Sequence, residues 1–259
     1  DRYSTLREIM KPDYYAQGSN VYADEAMQKA GEFGKAIKRV NDEQALKEAL
    51  EAAKNADVIV AALGETAEMS GECSSRTNIE IPQIQKKLLN ELKKTGKPIV
   101  LVLLTGRPLV LVEENEKVDA ILNAWFSGSE TGNAVADVLF GDVNPSGKLT
   151  TTFPRSLGQV PIYYNYKNTG RPLGNKEGKF EKFKSNYLDE RNEPLFPFGY
   201  GLSYTNFNYG NVSLSSTKMN ANQTIKVSVS VSNSGNFDGK EVVQLYIRDL
   251  VGSTTRPVK

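Results

Sequence analysis

From residue 41 to residue 149 the apolar positions switch repeatedly between two periods. Ala45, Leu46, Leu50 and Ala53 fall at helical spacing inside residues 42–55, with Asn41 or Asp42 placed as N-cap. The run that follows, residues 57–63, is continuously apolar after Asp57 and predicts a short strand buried on both faces. A second helix is predicted over 83–94, closed by Gly96 and Pro98, and a second strand over 99–104. A short helix with Pro108 in its first turn should end before Val118, followed by a strand over 120–126 and a helix over 130–139 stopped by Gly141. Repeated strand-helix units of this kind predict an α/β fold, a mostly parallel sheet sandwiched by helices.

The rhythm then breaks. Residues 144–203 are rich in Pro, Gly, Tyr, Asn and Lys with few apolar runs, the pattern of a long irregular connector that packs on another part of the protein. Beyond Tyr209 a period of two sets in: Ile225, Val227, Val229 and Val231 alternate with polar residues, 233–239 reads as a turn, and Val243, Leu245 and Ile247 alternate again. This predicts antiparallel β-structure in a second domain. A β-sandwich takes about 100 residues, so the stretch from 209 to 259 is expected to be an incomplete one and the chain a segment of something longer.

Composition narrows the chemistry. Lys and Arg number 32 against 31 Asp and Glu, a formal net charge of +1, which removes the electrostatic case for nucleic acid or an anionic membrane as main partner. No apolar run approaches the ~20 residues of a membrane-spanning helix, so no membrane insertion is expected. The chain has no His, which excludes a Ser-His-Asp triad, a Cys-His pair, a His-ligated metal and a His base within it. Acid and base work must fall to carboxylates, Lys, Tyr or the single Cys73, and no His or basic helix end beside Cys73 favours its thiolate.

Three stretches can carry chemistry. The loop from Gly64 to Arg76 follows the first predicted strand, where open α/β sheets place their ligands, and it holds Glu65, Glu68 and Glu72 with two Gly and one Arg. A carboxyl group desolvated on such a loop can serve as a proton donor; the plain alternative is a solvated acidic loop. Trp125-Phe-Ser-Gly-Ser-Glu-Thr-Gly132 lacks the glycine spacing of a phosphate cradle, and Glu130 near the helix start would repel an anion, so it reads as a packing turn rather than a nucleotide site. In Thr105-Gly-Arg-Pro108, Arg107 reads as an ion-pair partner ahead of a sugar-hydroxyl donor. The aromatic, Gly-rich stretch 196–207 reads as packing between domains ahead of a sugar-stacking surface.

Taken in order, Ser70-Gly-Glu72, Ser74-Ser-Arg76, Ile79-Glu-Ile-Pro82, Gly106-Arg-Pro108, Trp125 to Ala134, Leu139-Phe-Gly-Asp-Val-Asn-Pro-Ser-Gly-Lys-Leu149 and Phe153-Pro154 resemble the C-terminal part of glycoside hydrolase family 3, of the periplasmic β-glucosidase type. Tyr163-Tyr164, Asn168-Thr-Gly-Arg-Pro172, Phe196-Pro-Phe-Gly-Tyr-Gly-Leu-Ser-Tyr204 and Arg256-Pro-Val-Lys259 extend the match. The resemblance implies a linker from an N-terminal (β/α)8 barrel over 1–40, an α/β sandwich over 41–160, a connector over 161–208, and the truncated first part of a fibronectin III-like domain over 209–259.

It further implies a retaining, exo-acting β-glucosidase acting on terminal non-reducing β-glucosyl residues of oligosaccharides, in the periplasm or secreted. Its partners are the glucoside substrate and the barrel of the same protein, which carries the nucleophilic Asp. Glu72 takes the acid/base position, with Glu68 as the alternative, and Glu68 and Arg76 are placed to bind substrate. No cofactor and no metal are implied. A family member acting on β-xylosides and a non-catalytic carbohydrate-binding or structural fragment stay open as alternatives.

Overall fold

A computed structural model describes residues 7–21, 39–167, 170–173 and 180–258, with the side chains of Ala67 and Glu68 left out of the description. Most of the predicted linker 1–40 and Asn168-Thr169 of the family motif lie outside the described residues.

Helix α1 (Asp42–Asn55) starts where Asn41 accepts the Gln44 backbone N–H on its side chain at 2.9 Å, and it turns Ala45, Ala49 and Ala53 into the core. Three small residues at successive turns let α1 pack against α3 (Gln83–Lys93), whose buried face is Leu88, Leu89 and Leu92. Between α1 and α3 in the sequence lie strand β1 (Ile59–Gly64) and the short helix α2 (Ala67–Ser70). Strand β2 (Ile99–Leu104) follows α3, and helix α4 (Val112–Lys117) leads to strand β3 (Ala120–Asn123). The three strands form a parallel sheet in the order β1-β2-β3, with Ile59 opposite Ile99 and Leu101 opposite Ile121.

The central strand β2 is fully enclosed at Ile99, Leu101, Val102 and Leu103. One face of the sheet, Ala61, Leu63, Leu101 and Leu103, packs with the buried residues of α1 and α3. The other face, Ala62, Val102 and Leu122, packs against Val135 and Leu139 of helix α5 (Thr131–Phe140) and against Met10. Helices thus flank both faces, as the α/β pattern predicted.

Several expectations need correction. Residues 57–63 are not buried on both faces: among the described residues β1 is a sheet edge, and Val58 and Val60 stay 52% and 37% exposed. Pro108 does not open a helix. Val110 is bridged in parallel to Glu80, and Leu109 and Leu111 on either side of it are both buried in the core before α4 begins at Val112. The strand after α4 stops at Asn123, and Trp125 takes a left-handed φ of 48° that turns its ring toward Phe153, 5.7 Å away. Helix α5 ends, as expected, on a left-handed Gly141.

The irregular stretch closes on itself. Leu149 N–H donates to Tyr200 O (2.8 Å), Gly199 N–H to Leu149 O (2.7 Å) and Phe153 N–H to Phe196 O (2.8 Å), joining its two ends. Phe196 packs edge-on against buried Phe153 and stacks on Tyr200, while Phe198 stacks on Tyr164, which also meets Tyr246. Strand β4 (Phe207–Tyr209) pairs antiparallel with β7 (Val231–Asn233), and β5 (Ser213–Leu214) with β6 (Val227–Ser228). The alternation at 243–247 forms no strand among the described residues: Val243, Leu245 and Ile247 are exposed, with no described neighbour to complete a ladder.

Candidate active site

The carboxyl ends of β1 and β2 meet without a side chain between them. Gly64 sits at φ 136°, and a Cβ there would overlap the Leu104 carbonyl oxygen. Buried Gln85 of α3 pins the spot, accepting from Gly64 N–H at 2.7 Å and donating to Gly64 O at 3.0 Å. Glu65 N–H then donates to Leu104 O at 2.7 Å, which turns the Glu65 side chain inward beside the residues that leave β2.

Glu65 is fully enclosed and surrounded by donors. Its Oε1 accepts from Arg76 Nη1 at 2.6 Å and lies 3.1 Å from Arg107 Nε, off the hydrogen-bond axis, so the latter contact is an ion pair. Its Oε2 is 2.8 Å from the Thr105 hydroxyl and 3.4 Å from Gly106 N–H. The Thr105 hydroxyl accepts from Arg107 N–H at 3.2 Å and lies 2.9 Å from Arg107 O, so one buried threonine ties the turn after β2 to the carboxylate. A buried carboxylate is tolerable only with this density of partners.

The two arginines have donors to spare, and both reach loop backbone. Arg107 Nη2 donates to Met69 O and to Ser74 O, the latter at 3.3 Å, and Arg76 Nη2 donates to Glu80 O at 3.0 Å. Met69, at the end of α2, is the apolar anchor of the loop. Gly106 faces Ser70 and Phe126 so closely that a Cβ would strike both, which brings the loops after β1, β2 and β3 together. Beyond α2 the chain turns through Gly71, Glu72 and Cys73, all exposed, with Cys73 at a left-handed φ of 59° and Ser74 N–H closing on Gly71 O at 3.2 Å.

Glu72 therefore stands at the exposed tip of a loop whose flanks are tied down. Arg76 lies at the base of that loop with its guanidinium engaged by Glu65 and Glu80. The side chain of Glu68 lies outside the described residues. Sequence reading counted Glu65 among the loop's acids and did not see that it is the buried hub of the site. No local signal marks it: only the parallel register that sets Gly64 opposite Leu104 brings Glu65 beside Thr105 and Arg107.

Residues 7–204 match the glycosyl hydrolase family 3 C-terminal domain. The chain belongs to this family. The periplasmic beta-glucosidase of Salmonella typhimurium is 52% identical over 248 residues, spanning 95% of this chain and 32% of its own length. A beta-xylosidase of Formosa agariphila is 44% identical over 214 residues, covering 82% of this chain and 28% of its own. Among solved structures, beta-glucosidase from Listeria innocua superposes with a TM-score of 0.80 at 41% identity over 87% of this chain and 31% of that one. The chain thus spans about a third of the length of the relatives it matches.

Proposed function

We propose that this chain is the C-terminal part of a retaining, exo-acting β-glucosidase that removes terminal non-reducing β-glucosyl residues from oligosaccharides, and that its contribution to catalysis is the loop carrying Glu72. The observation that carries this reading is the exposed Glu72 at the tip of a loop anchored at the carboxyl ends of a parallel sheet. Its placement suits a carboxyl group presented to another domain. The relatives of both sequence and structure, named as beta-glucosidases, support the reaction class.

An Asp in an N-terminal (β/α)8 barrel of the same protein would attack the anomeric carbon while Glu72 protonates the departing oxygen. Glu72, now a carboxylate, would take a proton from water as that water attacks the glycosyl-enzyme bond and frees the Asp. Glu68 and Arg76 belong to the same loop as Glu72 and would contact substrate hydroxyls, Arg76 through the N–H groups not held by Glu65 and Glu80. In this reading the residues divide into the linker 1–40, the sandwich 41–160, the connector 161–208 and a fibronectin III-like part over 209–259, whose antiparallel pairs agree with it. The relative named periplasmic supports a periplasmic or secreted placement. The beta-xylosidase relative keeps a xyloside as the second substrate reading.

The test is Glu72→Ala in the full-length gene product. On alkyl glucosides, whose leaving group needs a proton, kcat/KM should fall by roughly 100-fold or more, against a small change on dinitrophenyl glucosides, and azide should restore part of the lost turnover. Wild-type behaviour of Glu72→Ala, with this pattern appearing in Glu68→Ala, would move the acid/base role to Glu68.

A further inference from the structure

We propose that Arg107, held by Glu65, is the positioning residue of the acid/base loop. This rests on the reading of Glu72 given above and adds a mechanical route from the sheet to that residue. The carbonyls of Met69 and Ser74 bracket Glu72 in the sequence, and both accept from the same nitrogen, Arg107 Nη2. One guanidinium therefore fastens the two flanks of the tip to a single point. A loop with Gly71 at its turn and three consecutive exposed residues has little apolar anchoring of its own beyond Met69, so these two bonds fix where the tip stands.

The guanidinium is itself held from below. Glu65 Oε1 pairs with Arg107 Nε at 3.1 Å, and Glu65 Oε2 is fixed by the Thr105 hydroxyl at 2.8 Å. Arg107 N–H closes onto that same hydroxyl at 3.2 Å, so side chain and backbone of Arg107 are locked to one rigid strand end. The order of support runs from β2 through Thr105 and Glu65 to Arg107, and from Arg107 to the backbone on either side of Glu72. Arginine is the residue this needs, because its planar fork pairs with a carboxylate and still presents N–H groups to backbone carbonyls, which a single ammonium cannot do at two separated points. Placement of an acid to within a fraction of an ångström governs proton transfer to a leaving group, so loosening the clamp should mimic loss of the acid.

The experiment uses the full-length gene product with Arg107→Lys, Arg107→Met, Glu72→Gln and the double variant Arg107→Lys/Glu72→Gln. Arg107→Lys keeps a positive charge beside Glu65 and loses the two-point grip; it carries the test where Arg107→Met fails to fold. The expected result is a fall in kcat/KM of about 100-fold on an alkyl β-glucoside and less than about 10-fold on dinitrophenyl β-glucoside, the signature of a misplaced acid. Adding Arg107→Lys to Glu72→Gln should cost little more on either substrate, because the group being positioned is already gone. Equal losses on both substrates, or a full additional loss in the double variant, would mean that Arg107 serves only the fold and would overturn the proposal. If Glu72→Gln shows the leaving-group signature and Arg107→Lys does not, the clamp alone fails. If Glu72→Gln lacks it, the reading of Glu72 fails and the clamp with it.

Discussion

Two ionic clusters, each built around a buried carboxylate, sit in the same α/β layer with inverted charge arithmetic. At the strand ends one carboxylate, Glu65, is shared by two guanidiniums, Arg76 and Arg107. At the outer corner where α3 meets α4, one ammonium, Lys86, faces three carboxylates: Glu80 at 3.1 Å, Glu113 at 3.5 Å and Glu114 at 3.8 Å. In the first cluster the carboxylate is saturated and the cations have donors left over, which go to loop backbone. In the second, the ammonium donates to Glu80 at 3.1 Å and meets Glu113 and Glu114 as ion pairs, so its charge is divided among three carboxylates.

The electrostatic consequences differ accordingly. Burial pushes the Glu114 carboxyl above its ordinary value, and its backbone hydrogen bond and Lys86 offset this only in part. Burial by itself would lower Lys86, yet its hydrogen bond to Glu80 and the charges of Glu114, Glu80 and Glu113 outweigh it and leave the ammonium favoured. The Lys86 corner fastens two helices and carries an internal conflict at Glu114, whereas the Glu65 hub is compensated and passes order outward to the loop bearing Glu72.

The largest effect should come from breaking the hub. Glu65→Ala leaves two guanidiniums facing each other with no counter-charge, a loss of about 3–5 kcal/mol of folding stability. Urea unfolding of the chain measures it directly. A loss under about 1 kcal/mol would place Glu65 with exposed pairs and remove the distinction between the two clusters.

Removing the cation of the other cluster should cost less. In Lys86→Met the Glu80 and Glu113 side chains, 33% and 60% exposed, can turn to water, and only Glu114 is left buried without its ammonium partner. The expected loss is about 2 kcal/mol at neutral pH. It should shrink on acidification, since Glu114 can then take up a proton and stop needing a partner. A loss as large as that of Glu65→Ala would mean that both clusters are equally tight.

How much of this was legible beforehand follows from the range of the interactions. The helix at 42–55 and the strand at 99–104 came out with the observed bounds, because the Asn41 cap, the Ala stripe and the apolar run are local signals. The placement of Glu72 on a loop after a strand was likewise readable, whereas its exposure was one of two open readings. The burial of Glu65 was not, since it depends on Thr105, forty residues away and brought near only by the parallel register. Leu109 and Leu111 were misread because Pro108 is an acceptable helix start, while their alternation into the core is decided by the bridge of Val110 to Glu80. Val58 and Val60 look like core by composition, and only strand order reveals an edge.

The smallest expected effect sharpens the comparison most. Glu114→Gln keeps the shape of the side chain and removes the ionisation that burial opposes. Because the folded-state pKa of Glu114 lies above its ordinary value of 4.5, the folded protein binds that proton more tightly than the unfolded chain. Between 4.5 and the raised folded value, stability therefore falls as pH rises, and above that window the whole cost of ionising the buried group is present. Glutamine carries no such cost. The difference in urea midpoint between Glu114→Gln and the unaltered chain should move in favour of the variant as pH rises from ~4 to ~7, even though the variant gives up the attraction to Lys86. That attraction is already contained in the net upward shift. A difference that stays flat across the range, or moves against the variant, would show Lys86 compensating Glu114 in full, and the outer corner would then be as well balanced as the hub at the strand ends.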